Sequence, residues 1–260
     1  MKLIDSHSHL FLEEFAEDLP EVMRRASDAG ISHIFMPNID SSTLDPLLKV
    51  CCDYPNFCYP MVGLHPTSVA ENYKNELDVV YQQLQQSQYG FVAIGEIGLD
   101  LYWDQTFLKE QLVAFEQQVK WALEYHLPIV VHCREAFSYI YKVLAPYKNS
   151  GLRGIFHSFT GNAQEAASML EFTDFMIGVN GVVTFKKSSV PTVLPKIPLN
   201  RLVLETDSPY LTPVPYRGKR NESAFVKYTA AKVAEVYEIS LEKVAEVTSN
   251  NALKVFGMLK

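Results

Sequence analysis

The residues best equipped for chemistry are five histidines and two carboxylates spread along the chain: His7, His9, His65, Glu96, His132, His157 and Asp207. His7 and His9 close the run Asp5-Ser6-His7-Ser8-His9, directly after Lys2-Leu3-Ile4, which reads as the start of a short strand. Alternate residues of a strand share a face, so Asp5, His7 and His9 are expected to point the same way. Two imidazoles so spaced at the end of a buried strand suit one divalent metal ion. A lone His-x-His pair is weak evidence, because strand-end histidines also serve as plain hydrogen-bonding groups. The other five residues decide the matter, since each also stands at or just beyond the end of an apolar run.

Those runs are the elements that must position the site. The strand-like stretches are Lys2–Asp5, His33–Met36, Phe57–Val62, Phe91–Glu96, Ile129–His132, Arg153–His157, Phe175–Val179 and Leu202–Asp207. Between them lie stretches with helical periodicity. These are Asp18–Gly30, Leu44–Cys52, Glu76–Gln86, a stripe of Leu108, Leu112, Phe115, Val119, Ala122 and Leu123, and Phe137–Leu144. Asn162 with Glu165 three residues on forms a capping box for a further helix. Two helices close the chain, one through Val226, Ala230, Val233, Ala234 and Tyr237, the other from Ser240. Alternating β and α units imply a parallel sheet. Eight units in about 250 residues match an α/β protein of the closed (β/α)8 TIM barrel type. An open doubly wound sheet is the competitor, but the glycine-rich turn of a dinucleotide site is missing after the first strand. No linker or repeat interrupts residues 1–260, so one barrel domain is expected.

A parallel barrel carries its active site at the C-terminal ends of its strands. His7, His9, His65, Glu96, His132, His157 and Asp207 all fall there, whereas His33 and His126 do not and read as ordinary structural or surface histidines. Several imidazoles and carboxylates meeting at one mouth are costly to bury unless something satisfies them, and metal does. His7, His9, Glu96, His132, His157 and Asp207 make six ligands, too many for one catalytic ion that keeps an open position. Two divalent cations about 3.5–4 Å apart, bridged by a carboxylate, are expected; such a pair acidifies water and stabilises a departing oxygen. The reaction class is metal-assisted hydrolysis. Ligand softness favours zinc, manganese or iron over magnesium at the imidazoles, and the choice among Mg2+, Mn2+ and Zn2+ stays open.

The 260 residues are 48% hydrophobic and 20% charged, an ordinary globular balance, with a formal net charge of -7. An acidic chain is a poor general polyanion binder, so any nucleic-acid contact needs a local basic patch. Cys51, Cys52, Cys58 and Cys133 form neither a Cys-x-x-Cys pair nor a disulfide framework. Nothing approaches eighteen consecutive apolar residues. A cytoplasmic protein with no membrane contact and no obligate protein partner is expected.

Seven motifs, in order, carry a resemblance: Asp5-Ser6-His7-Ser8-His9-Leu10, Gly63-Leu64-His65-Pro66, Ala93 to Asp100 (AIGEIGLD), Pro128 to Arg134 (PIVVHCR), His157-Ser158-Phe159-Thr160-Gly161, Leu204 to Pro209 (LETDSP) and Arg217 to Glu222 (RGKRNE). Nearly end to end, the chain resembles the TatD-type deoxyribonucleases of the metal-dependent hydrolase superfamily. The resemblance implies a TIM barrel and a 3′-to-5′ exodeoxyribonuclease of single-stranded DNA. It implies that His7 and His9 bind one metal and His132 and His157 the second, with Glu96 bridging. Asp207 would hold the first metal and manage the water proton. His65 and Arg134 would lie near the scissile phosphate, and Glu205 would orient a ligand from behind. The family usually runs Asn-Glu-Pro after the basic loop; here it is Asn221-Glu222-Ser223, and a softer helix entry is expected.

Basic residues near the expected mouth are Arg134, Lys186, Lys187, Arg217, Lys219 and Arg220, of which Arg217 and Arg220 are the better phosphate contacts. Tyr102, Trp103, Phe185 and Tyr216 lie in the same loops and have faces on which bases stack. Rival readings are a hydrolase of a small amide, lactone or phosphoester, an aminoacyl-tRNA deacylase on the same centre, and a non-catalytic metal-binding protein. Many small-molecule relatives bridge their metals through a modified lysine on the fourth strand, where this chain has Glu96.

Overall fold

A computed structural model describes residues 1–259. The strands are β1 (Leu3–Asp5), β2 (Ile31–Met36), β3 (Cys58–Pro60), β4 (Ile94–Asp100), β5 (Ile129–Arg134), β6 (Gly154–Phe156), β7 (Phe175–Val179) and β8 (Leu202–Leu204). The helices are α1 (Leu19–Asp28), α2 (Leu44–Asp53), α3 (Tyr73–Leu84), α4 (Leu108–Glu124), α5 (Phe137–Leu144), α6 (Ala163–Leu170), α7 (Val190–Val193), α8 (Val226–Tyr237) and α9 (Leu241–Val255). All neighbouring strands pair in parallel, as β1-β2-β3 and β4-β5-β6-β7-β8. Bridges between Val62 and Ile94 and between Ser8 and Ser208 join the two ladders. The sheet is thus closed, an α/β barrel of the TIM type with its helices outside.

The interior of the barrel explains why its polar groups gather at one end. Ile4, Phe35, Met61, Ala93, Val130, Ile155, Met176 and Val203, one from each strand or its flank, form a buried apolar plug. Ala252, Val255 and Phe256, at the end of α9, pack beneath it, with the Phe256 ring 3.7 Å from that of Phe35. That end is shut with apolar groups. A second and larger apolar layer lies between strands and helices; it takes the buried faces of α1 and α4, including Val22, Met23, Phe115 and Val119. Buried histidines and carboxylates are left with the C-terminal mouth.

Two strands differ from the sequence expectation where the site is built. β4 runs to Asp100, four residues beyond Glu96, because its last residues pair with β5: Gly98 with His132, Leu99 with Cys133 and Asp100 with Arg134. Gly98 has φ +143°, and a Cβ there would overlap the His132 carbonyl, so the close approach needs glycine. β8 stops at Leu204. Glu205, Thr206 and Asp207 leave the ladder, and Asp207 turns into the left-handed region at φ +58°. Non-glycine residues in that region are strained, and such strain gathers at functional sites. The Asn162–Glu165 capping box is present at the start of α6.

Candidate metal centre

His7 and His9 leave the end of β1 with their Nε2 atoms 3.1 Å apart. Asp5, in contrast, turns toward the segment after β8: its carboxylate accepts the Thr206 amide at 2.9 Å and the Thr206 hydroxyl at 2.6 Å. It therefore fixes the β1–β8 seam rather than joining the imidazoles. Full burial pushes its carboxyl up to about 7 against bonds from Ser223 and Thr206.

The two oxygens of Glu96 face two sets of groups. Oε2 lies 3.0 Å from His7 Nε2 and 3.6 Å from His9 Nε2. Oε1 lies 2.8 Å from His132 Nδ1, 3.4 Å from His65 Nε2 and 3.7 Å from His157 Nε2. Asp207 Oδ1 completes the first set at 3.5 Å from His9 and 3.7 Å from His7. The same oxygen is 3.7 Å from His157. Ligands placed tetrahedrally about an ion at 2.0–2.1 Å are about 3.4 Å from one another, so these separations match groups that share a cation. In three triads one ligand atom from each residue lies within 4.8 Å of the other two: His7–His9–Asp207, His7–His157–Glu205 and His65–Glu96–His132. The donor set, imidazoles with carboxylates, suits zinc or manganese better than calcium. The residues fit the metal that the sequence implies.

Their electrostatics agree. Burial alone would raise Glu96, but the charges of His7, His65 and His157 and its bond to His132 hold its carboxyl well below the usual range. Asp207 is likewise lowered, against burial, by His157 and His9. Burial pushes His7 and His65 below the ordinary imidazole value. Burial would lower His132 too, yet its bonds to Asp100 and Glu96 push it up to about 9. His157 is pushed up to about 10 by Glu205, Glu96 and Asp207. His157 Nδ1 is 3.0 Å from Glu205 Oε2, an ion-pair contact off the line that a hydrogen bond requires. The other Glu205 oxygen accepts the Ser158 amide at 2.6 Å.

Above the cluster lies a cavity of about 680 Å³. His9, His65, Glu96, His132, His157 and Asp207 line it, with Trp103, Arg134 and Tyr210 among its other walls. All the strand-end residues singled out from the sequence thus converge, and Arg134 reaches the same space. Arg220 does not. Its guanidinium is held by Asp18 at 2.7 Å and by the Glu14 carbonyl, and it packs on Phe15. Arg220 is thus salt-bridged between the loops that follow β1 and β8 and is not among the cavity walls. Arg217 lies over the Phe185 ring, 3.7 Å from its centroid, also outside the cavity walls. The loop is held by Asn221, whose side-chain amide donates to the Thr206 and Tyr210 carbonyls, and by Glu222, which pairs with Arg25 at 2.6 Å. Ser223 is fully buried beside Ser8 and opens a short 3-10 turn ahead of α8.

Asp100 is a site residue that the sequence did not single out; its Oδ2 is 2.9 Å from His132 Nε2. A signal for it exists: Glu96, Gly98 and Asp100 alternate along one strand, and the last shares a face with the first.

The family described as TatD related DNase matches residues 4–257. The chain belongs to that family. It is a metal-dependent hydrolase, an enzyme acting on ester bonds. It is 36% identical to the uncharacterized metal-dependent hydrolase YabD of Bacillus subtilis, over 98% of both chains. It is 31% identical to the 3′-5′ ssDNA/RNA exonuclease TatD of Erwinia amylovora, over 98% of this chain and 100% of that one. The crystal structure of YJJV, a TatD homolog from Escherichia coli, superposes with a TM-score of 0.91 at 28% identity, covering 98% of each chain. Among the described residues no helix of this TatD-family protein is long and apolar enough to cross a membrane.

Proposed function

We propose that this enzyme is a 3′-to-5′ exonuclease of single-stranded DNA whose centre holds two divalent cations. The observation that carries the reading is Glu96, whose two oxygens face separate sets of imidazoles beneath one open cavity. His7, His9 and Asp207 would hold one cation, His132 and His157 the other, and Glu96 would serve both. The pair supplies an acidified water and charge neutralisation at the scissile phosphate.

The chain's own groups do the rest. Asp207, kept ionised by His157 and His9, takes the proton of the attacking water. The Asp207 side chain is 15% exposed, so it meets both the cluster and the cavity. His65 accepts at Nδ1 from the Thr67 amide, at 3.1 Å, which leaves Nε2 as its proton-bearing atom; Nε2 lies 3.4 Å from Glu96 Oε1, and from the cavity wall it would turn its proton to a phosphate oxygen. Arg134, on the wall, pairs with the phosphate as a planar fork. Glu205 holds the His157 ring from behind.

Relatives named as ssDNA/RNA exonucleases support the choice of polymer. The test is an end-label assay. Purified protein meets 5′-labelled single-stranded and double-stranded DNA with Mg2+ or Mn2+, with EDTA, and as His132→Ala and Asp207→Asn variants. A ladder shortening stepwise from the 3′ end, strongest on single strands and absent with EDTA and both variants, is expected. No turnover by folded, metal-loaded protein would move the substrate to another ester, such as a small phosphoester or an aminoacyl-tRNA.

A further inference from the structure

Trp103 is 70% exposed at the cavity wall, the most open of the large apolar side chains. Its neighbour Tyr102 is 50% exposed and meets it edge to face, at 4.9 Å. The Arg134 guanidinium lies over both rings, 3.9 Å from the Tyr102 centroid and 5.2 Å from that of Trp103. Arg134 is itself exposed and, among the described residues, pairs with no carboxylate. Its guanidinium donates no hydrogen bond among the described residues, whereas Arg24, Arg25 and Arg220 are salt-bridged and Arg153, Arg201 and Arg217 donate to backbone carbonyls. Exposed aromatic surface beside an unpaired cation, at the rim of a catalytic cavity, marks a surface built to be covered.

We infer that Trp103, steadied by Tyr102 and Arg134, is the stacking platform for an unpaired nucleobase of the single strand entering the mouth. The inference rests on the nuclease reading above. Chemical fit supports it. A nucleobase is planar and offers a π face to an indole whatever its sequence. The phosphate attached to it is the group that a free guanidinium recognises. One nucleotide therefore satisfies both halves of the platform. In a duplex each base is already stacked and paired, so the platform selects single strands. The chain has a net charge of -7, so general polyanion attraction is weak and base stacking becomes a larger share of the binding.

The chain itself supplies the probe. It has two tryptophans, and the other, Trp121, is only 8% exposed, against the Tyr81 ring. Full-length protein with Mg2+ is titrated with a labelled dT strand whose last linkages are phosphorothioate, to resist cleavage. A matched strand lacks bases on its final two nucleotides. Anisotropy of the label reports binding, and indole emission reports contact with Trp103. The expected result is that the complete strand binds about tenfold tighter than the base-less one and quenches emission. In Trp103→Ala the two strands bind alike, and in Trp103→Phe the quenching disappears while the preference persists. Binding of both strands equally, with unchanged indole emission, overturns the platform and leaves the nuclease reading standing. Failure of wild-type protein to bind either strand overturns both.

Discussion

Asp100 Oδ2 lies 2.9 Å from His132 Nε2, on the far side of the ring from Glu96. The pairing fixes which imidazole nitrogen faces the cluster and leaves Nδ1 as the atom that would bind a cation under the proposed assignment. Outer partners of this kind contribute about 10- to 100-fold to metal affinity. Asp100→Ala should weaken metal binding by that order while the barrel stays folded, and Asp100→Asn should fall between. Competition against a chelator measures it, and unchanged affinity in Asp100→Ala would count against the pairing.

Metal and protons should compete. In the metal-free protein His132 is pushed up to about 9 and His157 to about 10, both above the ordinary imidazole value of 6.5. Both carry a proton at neutral pH and must lose it to act as ligands. Loading should therefore release protons, and apparent affinity should climb as pH rises toward 9. The sign for stability is opposite. These raised folded-state values stabilise the metal-free fold below about 6.5, and the contribution is lost as pH rises through about 9 for His132 and about 10 for His157. Calorimetric metal titrations in buffers of different ionisation enthalpy read the protons directly. Binding without proton release would contradict protonated His132 and His157 in the metal-free centre.

Gly178 touches the site from behind. A methyl placed on it would overlap the Glu205 carboxylate, which also holds His157 and the Ser158 amide. Gly178→Ala should displace Glu205 and cost about 1–3 kcal/mol of stability. Its loss of turnover should exceed what that instability explains. Activity per folded molecule, with the folded fraction taken from a denaturant titration, separates the two effects.

Phe256 gives the opposite pattern. It closes the apolar end of the barrel against Phe35, away from every ligand. Phe256→Ala should cost about 3–5 kcal/mol by leaving a cavity. Activity per folded molecule should be retained at temperatures where the variant is folded.

Much of the mouth is legible in the sequence because imidazoles at strand ends are placed by the topology itself. His7, His9, His132 and His157 need only the strand order to converge. Asp100 is legible only through its alternation with Glu96 and Gly98. Gly95 and Gly98 break the apolar run of β4, and its extension depends on pairing with β5. Arg220 reads as available because its partner Asp18 is 202 residues away, brought near only by closure of the barrel. Asp5 shares the alternation of His7 and His9, but the strand ends at Asp5, so the shared face is lost. Long-range pairing, not local propensity, decides each of these.

The most direct test of the two-cation centre is to titrate Mn2+ into metal-stripped protein while following bound metal and 3′-end shortening of single-stranded DNA together. Turnover is expected to appear as a second equivalent binds. Glu96→Gln, which alters the carboxylate facing both sets of imidazoles, should lose turnover and bind metal more weakly. Full turnover in EDTA, or in a Glu96→Gln variant holding no second ion, would contradict a centre built on Glu96 and two cations.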